Sequence, residues 1–464
     1  MKQVLVLGAG KSSPFLIAHL LELAGEHDWF VTVGDVDVEE ARRHVGRHPR
    51  GNALAFDIND ANLRSAQIEM ADVVVNMLSP VFQDLVAWDC VAQGTHMLSV
   101  SYDDEAVRDL SKDAQRKGLL LLTDLGLDPG IDHMSAMRLI RKISGEGGRV
   151  TAFRSYGSGI PAPEGELNPL RYVVSWNPRN VVMSAEHGAQ YMIDGKIKIV
   201  PFHQVFLHTW AVDVPGVGML EAYPNRDSLS YIDAFGLTGV QTMIRGTLRY
   251  PGWSETWSQI VRLGLPNETL RIPDLARRTF AEVLEMHLPL TVTGSGLEQR
   301  VANYLGISPT GSIMENLRWL GLLSDEATDC EGETAAAMMV DVLSNKLPLE
   351  RGQRDMIVLA HEFQVEYAGQ DRARETISST LVERGDPDGF TAMARTVGLP
   401  TAVAVKLLLT DEIPITGSQI PTHPSIYEPV LREIAAAGLA FDERVVTHDE
   451  DAPAPPQPAG EVRR

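Results

Sequence analysis

The chain has 464 residues, 44 % of them hydrophobic, and a formal net charge of -21 at pH 7. This length predicts two or three domains with a large core, and the acidity argues against nucleic acid or an anionic membrane as the main partner. Two cysteines, Cys90 and Cys330, are too few for a disulfide framework and favour a reducing, cytoplasmic location. A signal-peptide pattern and a long uninterrupted apolar run are both missing, so we expect a soluble protein.

The first residues predict a dinucleotide-binding βαβ unit. An apolar strand at 4–7 runs into GAGKSS, where Gly8 and Gly10 match the first two glycines of the G-x-G-x-x-G fingerprint and Ser13 takes the third place. The first two glycines allow a tight turn and close approach to a pyrophosphate, while the third mainly eases helix packing. Pro14 suits the first turn of the helix that the apolar pattern then predicts.

Asp35 follows the second predicted strand, 30–33, about twenty residues beyond the glycines. A carboxylate at this place accepts hydrogen bonds from the adenosine ribose and repels a 2′-phosphate. We therefore predict NAD as the preferred cofactor, with NADP possible. A solvated aspartate at a strand end is the alternative interpretation.

Further apolar strands at 71–76, 97–102 and 119–122 alternate with helical segments. At least five such strands predict a parallel, doubly wound sheet. The run LLLLTDLGLDPGIDH, 119–133, then combines a buried strand, a break at Asp128-Pro129-Gly130 and a helix. Open α/β sheets place ligands at such turns, and the alternative is an ordinary turn in which Asp128 caps the helix. One face of this helix is predicted from the spacing of four apolar residues: Ile131, Met134, Met137 and Ile140.

From residue 151 the composition changes, and alternating residues at 196–206, after an Asp194-Gly195 turn, predict antiparallel sheet. Three segments combine arginines, aromatic residues and turn formers, a combination that suits a pocket for a polycarboxylate: 155–172, 223–228 and 245–253. The remaining elements are predicted as helices over 273–347, a strand at 356–367, a helix at 392–409 interrupted at 398–400, a last helix at 427–438, and a disordered tail at 447–464.

Nine motifs in order resemble the glutamate-forming saccharopine dehydrogenases, or saccharopine reductases, of lysine metabolism. They are GAG, the Ser101-Tyr102 pair, GLDPGIDHM, SYxxGxPAPE, NPLRY, YPNRDS, RGTLRYPGW, AMARTVGLPTA and IYEPVL. The resemblance implies an α/β fold: a variant Rossmann domain and a mixed α/β substrate and dimerisation domain with a helical insert. The domain bounds expected from it are 1–126 completed by 390–446, 127–272 completed by 348–389, and 273–347 for the helical domain.

The same resemblance implies the site residues. Those expected to bind the cofactor, besides Asp35, are Gly8, Gly10, Lys11, Ser12, Leu127, Asp128, Pro129, Gly130 and Ile131. Those expected to bind substrate are Ser101, Tyr102, Asp128, Arg226, Arg245 and Thr247. One departure is visible: the family motif SYCGG reads SYGSG here, so Gly157 and Ser158 replace a cysteine and a glycine, and no role of that thiol applies.

The activity implied is nicotinamide-dependent interconversion of saccharopine with L-glutamate and 2-aminoadipate 6-semialdehyde, by a homodimer that contains no metal. Asp128 and Tyr102 are the candidates for positioning the secondary amine and shuttling protons, because the nicotinamide itself carries the hydride. His133, one turn into a helix, is interpreted as structural rather than as a base.

Two other functions stay open. One is a carboxynorspermidine-type dehydrogenase of polyamine metabolism, whose more cationic substrate Arg226, Arg245 and Arg249 disfavour. The other is a non-catalytic NAD-binding regulator, in which the missing cysteine marks lost activity; the presence of Tyr102, Asp128 and Arg226 disfavours it.

Overall fold

The structure, a computed structural model, describes residues 1–165, 168–184, 186–368, 374–448 and 461–462. The chain forms two compact units. The first comprises Met1–Arg149 and Leu381–Arg444, and the second comprises Val150–Thr380 and Val445–Arg464.

The strands of the described residues are β1 (Lys2–Leu7), β2 (Trp29–Asp35), β3 (Gly51–Ala55), β4 (Val73–Asn76), β5 (His96–Ser99), β6 (Leu120–Leu122), β7 (Gly148–Pro161), β8 (Ala189–Ile193), β9 (Lys196–Val200), β10 (His208–Val214), β11 (Gly218–Pro224), β12 (Arg226–Asp227), β13 (Thr242–Arg249), β14 (Asp355–Tyr367), β15 (Arg374–Arg384), β16 (Gly417–Gln419), β17 (Asp442–His448) and β18 (Glu461–Val462).

The helices of the same residues are α1 (Pro14–His27), α2 (Val38–Val45), α3 (Ala61–Glu69), α4 (Gln83–Gln93), α5 (Glu105–Asp109), α6 (Ser111–Arg116), α7 (Ile131–Gly145), α8 (Pro178–Val182), α9 (Ser230–Ala234), α10 (Trp253–Arg262), α11 (Phe280–Met286), α12 (Leu297–Leu305), α13 (Ser312–Trp319), α14 (Ala335–Lys346), α15 (Ala392–Leu409) and α16 (Pro424–Ala436). Short 3-10 helices lie at Pro80–Phe82, Phe202–Leu207 and Leu275–Arg277.

The first unit is built on a seven-stranded sheet in the order β16-β6-β5-β4-β1-β2-β3, and every pairing in it is parallel. Its central strands are short, apolar and buried along their whole length, as parallel strands covered on both faces are. The predicted doubly wound α/β sheet is confirmed. All strands point the same way, so the loops after β1, β2, β4, β5 and β6 emerge at one edge of this sheet.

The strand predicted at 97–102 extends too far at this edge of the sheet. β5 ends at Ser99, and Ser101 and Tyr102 lie in the loop that follows rather than in a strand. The Ser101 N–H donates to the Ser99 hydroxyl, 3.3 Å away, and the Ser101 carbonyl accepts from Asp124 N–H at 2.9 Å. These local hydrogen bonds replace the sheet ladder and turn the chain aside.

Helix α7 follows the turn at 128–130, and the four apolar residues predicted to share its buried face are buried. The alternative in which Asp128 caps this helix is wrong. The N-cap is Gly130, whose N–H donates to Asp132 Oδ1 at 2.7 Å. A carboxylate from inside the helix therefore takes the place that the sequence suggested for Asp128.

The predicted interruption at 398–400 is also wrong, because α15 runs unbroken through Pro400. The hydroxyl of Thr401, the residue directly after the proline, donates to the carbonyls of Val397 and Leu125, at 2.8 and 2.7 Å. Among the described residues α15 is the one helix long and apolar enough to cross a membrane, and 83 % of it is buried inside the structure, as in a core helix. It packs along α1 in the first unit.

The second unit contains a mixed sheet in the order β17-β15-β14-β7-β13-β11-β10-β18, with β8, β9 and β12 beside it. β13 is parallel to β7 and antiparallel to β11. The antiparallel hairpin β8-β9 turns at Asp194-Gly195, as predicted, but β9 ends at Val200 rather than 206. Pro201 follows, and proline cannot donate to a ladder, so a 3-10 helix takes over.

The two units divide the chain differently from the expected domains. Residues 127–149, including α7, belong to the first unit, where α7 packs on α16. The helices α11 to α14 occupy the expected helical segment 273–347. Of the tail expected to be disordered, Thr447 and His448 end β17 and residues 461–462 form β18, while 449–460 and 463–464 lie outside the described residues.

Candidate active site

The loop after β1 has the shape of a phosphate-binding turn. Gly8 has φ +103°, and a Cβ there would lie 3.1 Å from the Met77 carbonyl carbon, so only glycine fits without displacing the chain. The Ser13 hydroxyl donates to the Gly10 carbonyl at 2.7 Å instead of capping α1. The first-turn N–H groups of α1 therefore point toward the position where a dinucleotide pyrophosphate binds in such folds. Lys11 is exposed and Ser12 half-buried in this loop.

Asp35, at the end of β2, is held by main-chain donors. Its Oδ2 accepts from Ala9 N–H at 2.6 Å, and its Oδ1 accepts from Asp37 N–H at 2.9 Å. The carboxylate is thus attached to the glycine loop itself, at the edge where the predicted ribose site lies. The residues of this loop fit a nicotinamide dinucleotide.

Tyr102 and Asp128 come together at the same edge of the sheet. The Tyr102 hydroxyl donates to Asp128 Oδ1 at 3.1 Å, and Gln83 Nε2 donates to the Tyr102 carbonyl at 2.8 Å. Both side chains are half-buried. A phenol on a carboxylate provides an acceptor and a proton donor within one hydrogen bond, which is what a proton shuttle requires.

The turn that carries Asp128, expected on the nicotinamide side, is tightly closed. Gly126 N–H donates to the Pro129 carbonyl at 2.9 Å, and the Asp128-Pro129 bond is cis. Gly130 has φ +145°, and a Cβ there would lie 2.1 Å from the Gly126 carbonyl oxygen. Of the residues expected here, Leu127, Pro129, Gly130 and Ile131 are buried, while Asp128 is the member that reaches the surface.

In the second unit, Arg226 begins the two-residue strand β12, which pairs with β8, and the segment around it is hydrogen-bonded to β13. Arg226 has φ +49°, an uncommon and strained conformation for a residue with a long side chain, and its side chain is exposed. Asn225 N–H donates to the Arg245 carbonyl at 2.9 Å, and Arg245 N–H donates to the Ser228 hydroxyl at 2.9 Å. The structure therefore brings Arg226 and Arg245 together through the main chain.

Arg245 and Thr247 are two residues apart on β13, so their side chains lie on the same face of the sheet. Arg245 is 3 % exposed, with its guanidinium carbon 4.4 Å from the centre of the Tyr231 ring. Thr247 is half-buried and hydrogen-bonds with Tyr223, whose pKa is raised by burial. In the parallel register Thr247 lies opposite Gly157, the position where the resembled family has cysteine.

Ser158, the second departure from that motif, contacts Arg249. Its hydroxyl donates to the Leu248 carbonyl at 2.5 Å and accepts from Arg249 Nη1 at 3.2 Å. The buried guanidinium lies over the ring of Tyr172, 4.8 Å from its centre. Arg249 therefore has its contacts in the interior of the second unit. Among Arg226, Arg245 and Arg249, Arg226 is the exposed one.

Residues near the candidate site that the sequence analysis missed are Asp124, Asp132 and Gln83. Asp124 is the second residue after the leucine strand, and the spacing of Asp124, Asp128 and Asp132 by four was the available signal. Both Asp124 and Asp132 approach His133, which is 1 % exposed. A base must reach the proton that it abstracts, so this burial supports the structural interpretation of His133. Over the part of the chain that the structure describes, no group of three or more potential ligands is arranged to hold a metal ion.

A parallel sheet with a glycine turn after its first strand, and with a hydrogen-bonded acid-phenol pair at the same edge, is typical of a dinucleotide-binding α/β protein. Known proteins make this class more specific. The family model "Saccharopine dehydrogenase NADP binding domain" matches residues 4–122, and "Saccharopine dehydrogenase C-terminal domain" matches 126–439. The chain belongs to the saccharopine dehydrogenase family.

Individual relatives agree. The chain is 31 % identical to saccharopine dehydrogenase [NADP(+), L-glutamate-forming] of Saccharomyces cerevisiae, covering 96 % of this chain and 99 % of that one. A solved apo structure of the L-Glu-forming enzyme from the same yeast superposes with a TM-score of 0.82 at 30 % identity, over 96 % of this chain and all of that chain. The mitochondrial alpha-aminoadipic semialdehyde synthase of Bos taurus is 36 % identical over 95 % of this chain, which spans 47 % of the length of that relative.

Proposed function

We propose that the chain catalyses the nicotinamide-dependent interconversion of saccharopine with L-glutamate and 2-aminoadipate 6-semialdehyde. The single observation that carries the proposal is the hydrogen bond from Tyr102 to Asp128, at the sheet edge that also bears the glycine turn. The full-length similarity to yeast saccharopine dehydrogenase, the L-glutamate-forming enzyme, supports saccharopine as the substrate.

The bond changes of the oxidation define what the protein must supply. The C–H bond beside the secondary amine breaks, C=N forms, and the nitrogen loses its proton; water then adds to the carbon, and the C–N bond breaks. When bound, nicotinamide accepts the hydride. The net reaction consumes one water, gives one glutamate and one aldehyde per reduced cofactor, and releases one proton.

Asp128 and Tyr102 supply the proton transfers. In its ionised form Asp128 takes the proton from the substrate nitrogen, and it returns a proton to the departing amine when the C–N bond breaks. The Tyr102 hydroxyl donates a hydrogen bond to Asp128 Oδ1 and so holds the carboxylate in one orientation. Positioned proton transfer of this kind typically contributes 10² to 10⁴ in rate.

Arg226 supplies a site for a substrate carboxylate. Arg226 is exposed, and the segment that carries it, 225–228, is held by two hydrogen bonds to Arg245. Guanidinium groups bind carboxylates through two parallel hydrogen bonds, which gives orientation as well as affinity. In this assignment Arg245 and Thr247 support that segment and line the same face of β13.

We further propose that NAD is preferred, although the family description and the yeast relative are named for NADP. Support comes from Asp35, whose place at the end of β2 is kept by Ala9 and Asp37. The nearest arginines along the chain, Arg42 and Arg43, already pair with Glu39 and Glu40. A 2′-phosphate would therefore approach a carboxylate without a nearby uncommitted arginine of α2.

The experiment is direct. Purified protein is incubated with saccharopine and either NAD or NADP, and reduced cofactor, glutamate and aldehyde are measured together. Equal amounts of all three products support the proposal. Dinucleotide binding without any cofactor reduction would instead favour the regulator, and reduction with carboxynorspermidine alone would favour the polyamine enzyme.

The homodimer and the cytoplasmic location remain proposals that follow from the resemblance and the composition. The molar mass of the native protein in solution, measured by light scattering, tests the first. Fractionation of the source cells tests the second.

A further inference from the structure

A buried row of titratable side chains links the two loops that carry Tyr102 and Asp128. His133 Nδ1 lies 3.6 Å from Asp124 Oδ2, and His133 Nε2 lies 3.6 Å from Asp132 Oδ2. The three residues are 1 to 2 % exposed. The imidazole thus stands between two carboxylates that solvent does not reach.

Each of these carboxylates uses its other oxygen to hold a loop. Asp124 Oδ1 accepts from the N–H of Asp103, the residue after Tyr102. Asp132 Oδ1 accepts from the N–H of Gly130, two residues after Asp128, at 2.7 Å. The row therefore begins beside one member of the acid-phenol pair and ends beside the other.

The electrostatics make His133 the central member of the row. Two carboxylates buried near each other repel, and an imidazolium between them offsets that repulsion. An uncharged side chain in its place leaves both carboxylates without the cation, so they separate or take up protons. Either response shifts the N–H groups that they hold.

We propose that His133 is a positioning residue, which fixes Asp128 and Tyr102 relative to each other through Asp124 and Asp132. The role rests on the proposed function of Asp128 and Tyr102, and His133 itself does not touch substrate. Displacements near 1 Å can cost a hundredfold in rate, so a loosened pair slows the reaction even when both side chains are present.

The test uses His133→Gln. Glutamine keeps a hydrogen-bond donor, but it cannot become a cation and cannot approach Asp124 and Asp132 at the same time. We expect kcat to fall about tenfold or more, with KM for dinucleotide changed less than about threefold. The matched control is His96→Gln. His96 is a half-buried histidine of the same unit that accepts from Leu120 N–H at 3.0 Å, at the opposite end of β5. Its replacement should lower thermal stability and leave kcat within about twofold.

A double-mutant cycle separates positioning from general destabilisation. In the Asp128→Asn background, His133→Gln should change kcat less than about threefold, because the group that it positions has lost its basicity. An equal factor in both backgrounds would overturn the proposal. If His133→Gln does not fold, the double variant Asp132→Asn/His133→Gln takes its place in the same cycle. It has one buried carboxylate fewer, so the repulsion that destabilises the single variant is removed.

Hydrogen exchange gives a readout that needs no substrate. Exchange at the amides of Asp103 and Gly130 should speed up in His133→Gln and not in His96→Gln. If the wild type oxidises saccharopine but exchange at these two amides is unchanged in His133→Gln, the positioning role of His133 is rejected and the proposed function is kept. A wild type inactive on saccharopine, with exchange faster in the variant, rejects the proposed function and keeps the linkage.

Discussion

The two units present their functional side chains in different ways. In the first, Asp35, Tyr102 and Asp128 lie in loops just beyond the ends of parallel strands, and main-chain or side-chain donors hold them. In the second, Arg245 and Thr247 lie along β13, and Arg226 begins the short strand β12 in the left-handed conformation. Acidic and phenolic groups belong to the first unit and the exposed guanidinium to the second.

The difference suggests a division of labour. Groups that exchange protons need a neighbour that can share the proton, and Tyr102 provides one for Asp128. A group that only binds a carboxylate needs a fixed direction and a permanent charge, which arginine has. Changes in the first unit should then act on turnover and cofactor choice, and changes in the second on substrate affinity.

The largest expected effect is the protection of cysteine thiols from alkylation. Each unit contains one buried cysteine, so the two labelling rates report on the two units separately. Burial raises the pKa of both thiols, that of Cys330 to about 11, and the thiolate is the reactive form. We expect both to alkylate at least about a thousandfold more slowly in the native protein than in denaturant near neutral pH. Mass spectrometry of each cysteine peptide measures it. Labelling of Cys330 at the denatured rate would show that the second unit is open in solution.

Asp128→Asn has the largest expected effect on catalysis. Asparagine keeps the shape and can still accept from Tyr102, but it loses the basicity, so saccharopine oxidation should fall at least about a hundredfold. Melting temperature within a few degrees of wild type and normal dinucleotide binding, measured on the same preparation, complete the expectation. Near-normal turnover in a stable variant would remove Asp128 from catalysis.

Arg226→Lys tests the other side of the comparison. Lysine keeps the charge but not the bidentate geometry, so transition-state binding should weaken by about 1.5 to 3 kcal/mol with cofactor affinity unchanged. Arg271→Lys is the control, because Arg271 is an exposed arginine of the same unit that pairs with Glu333 at the surface. Wild-type kinetics for Arg226→Lys would exclude the carboxylate clamp.

The smallest expected effect concerns Asp35. A carboxylate about 4 Å from a 2′-phosphate costs roughly 1 to 4 kcal/mol per charge pair, so kcat/KM should favour NAD over NADP by tenfold or more. Asp35→Ser should reduce this ratio, mostly by improving NADP. Equal or better efficiency of the wild type with NADP would contradict the preference.

Patterns that depend on near neighbours were predictable from the sequence. The glycine turn, the leucine strand and α7 each depend on a pattern of a few consecutive residues, and the structure contains all three. Contacts between distant residues were not: Ser158 meets Arg249 across 91 positions, and nothing near Ser158 predicts it.

The missed details share a physical cause. Asp132 takes the N–H that Asp128 was expected to cap, because the closed turn at 126–130 points Asp128 toward Tyr102 instead. The proline in α15 is tolerated because the packed helix is buried, and burial was not readable from local pattern. The second-unit site depends on registers between strands far apart in the chain.

The first unit is assembled from two stretches of sequence that are separated by residues 150–380, and this has a consequence for its synthesis. β6 at 120–122 leaves the ribosome early, yet its outer neighbour β16 is translated only after the whole of residues 150–380. At about 5 to 20 residues per second, the nascent strand waits roughly fifteen to sixty seconds with an open edge. Helix α1 waits longer still for α15, because more residues separate the two helices. Until β16 is made, β6 therefore has unpaired main-chain groups along the edge that β16 later covers.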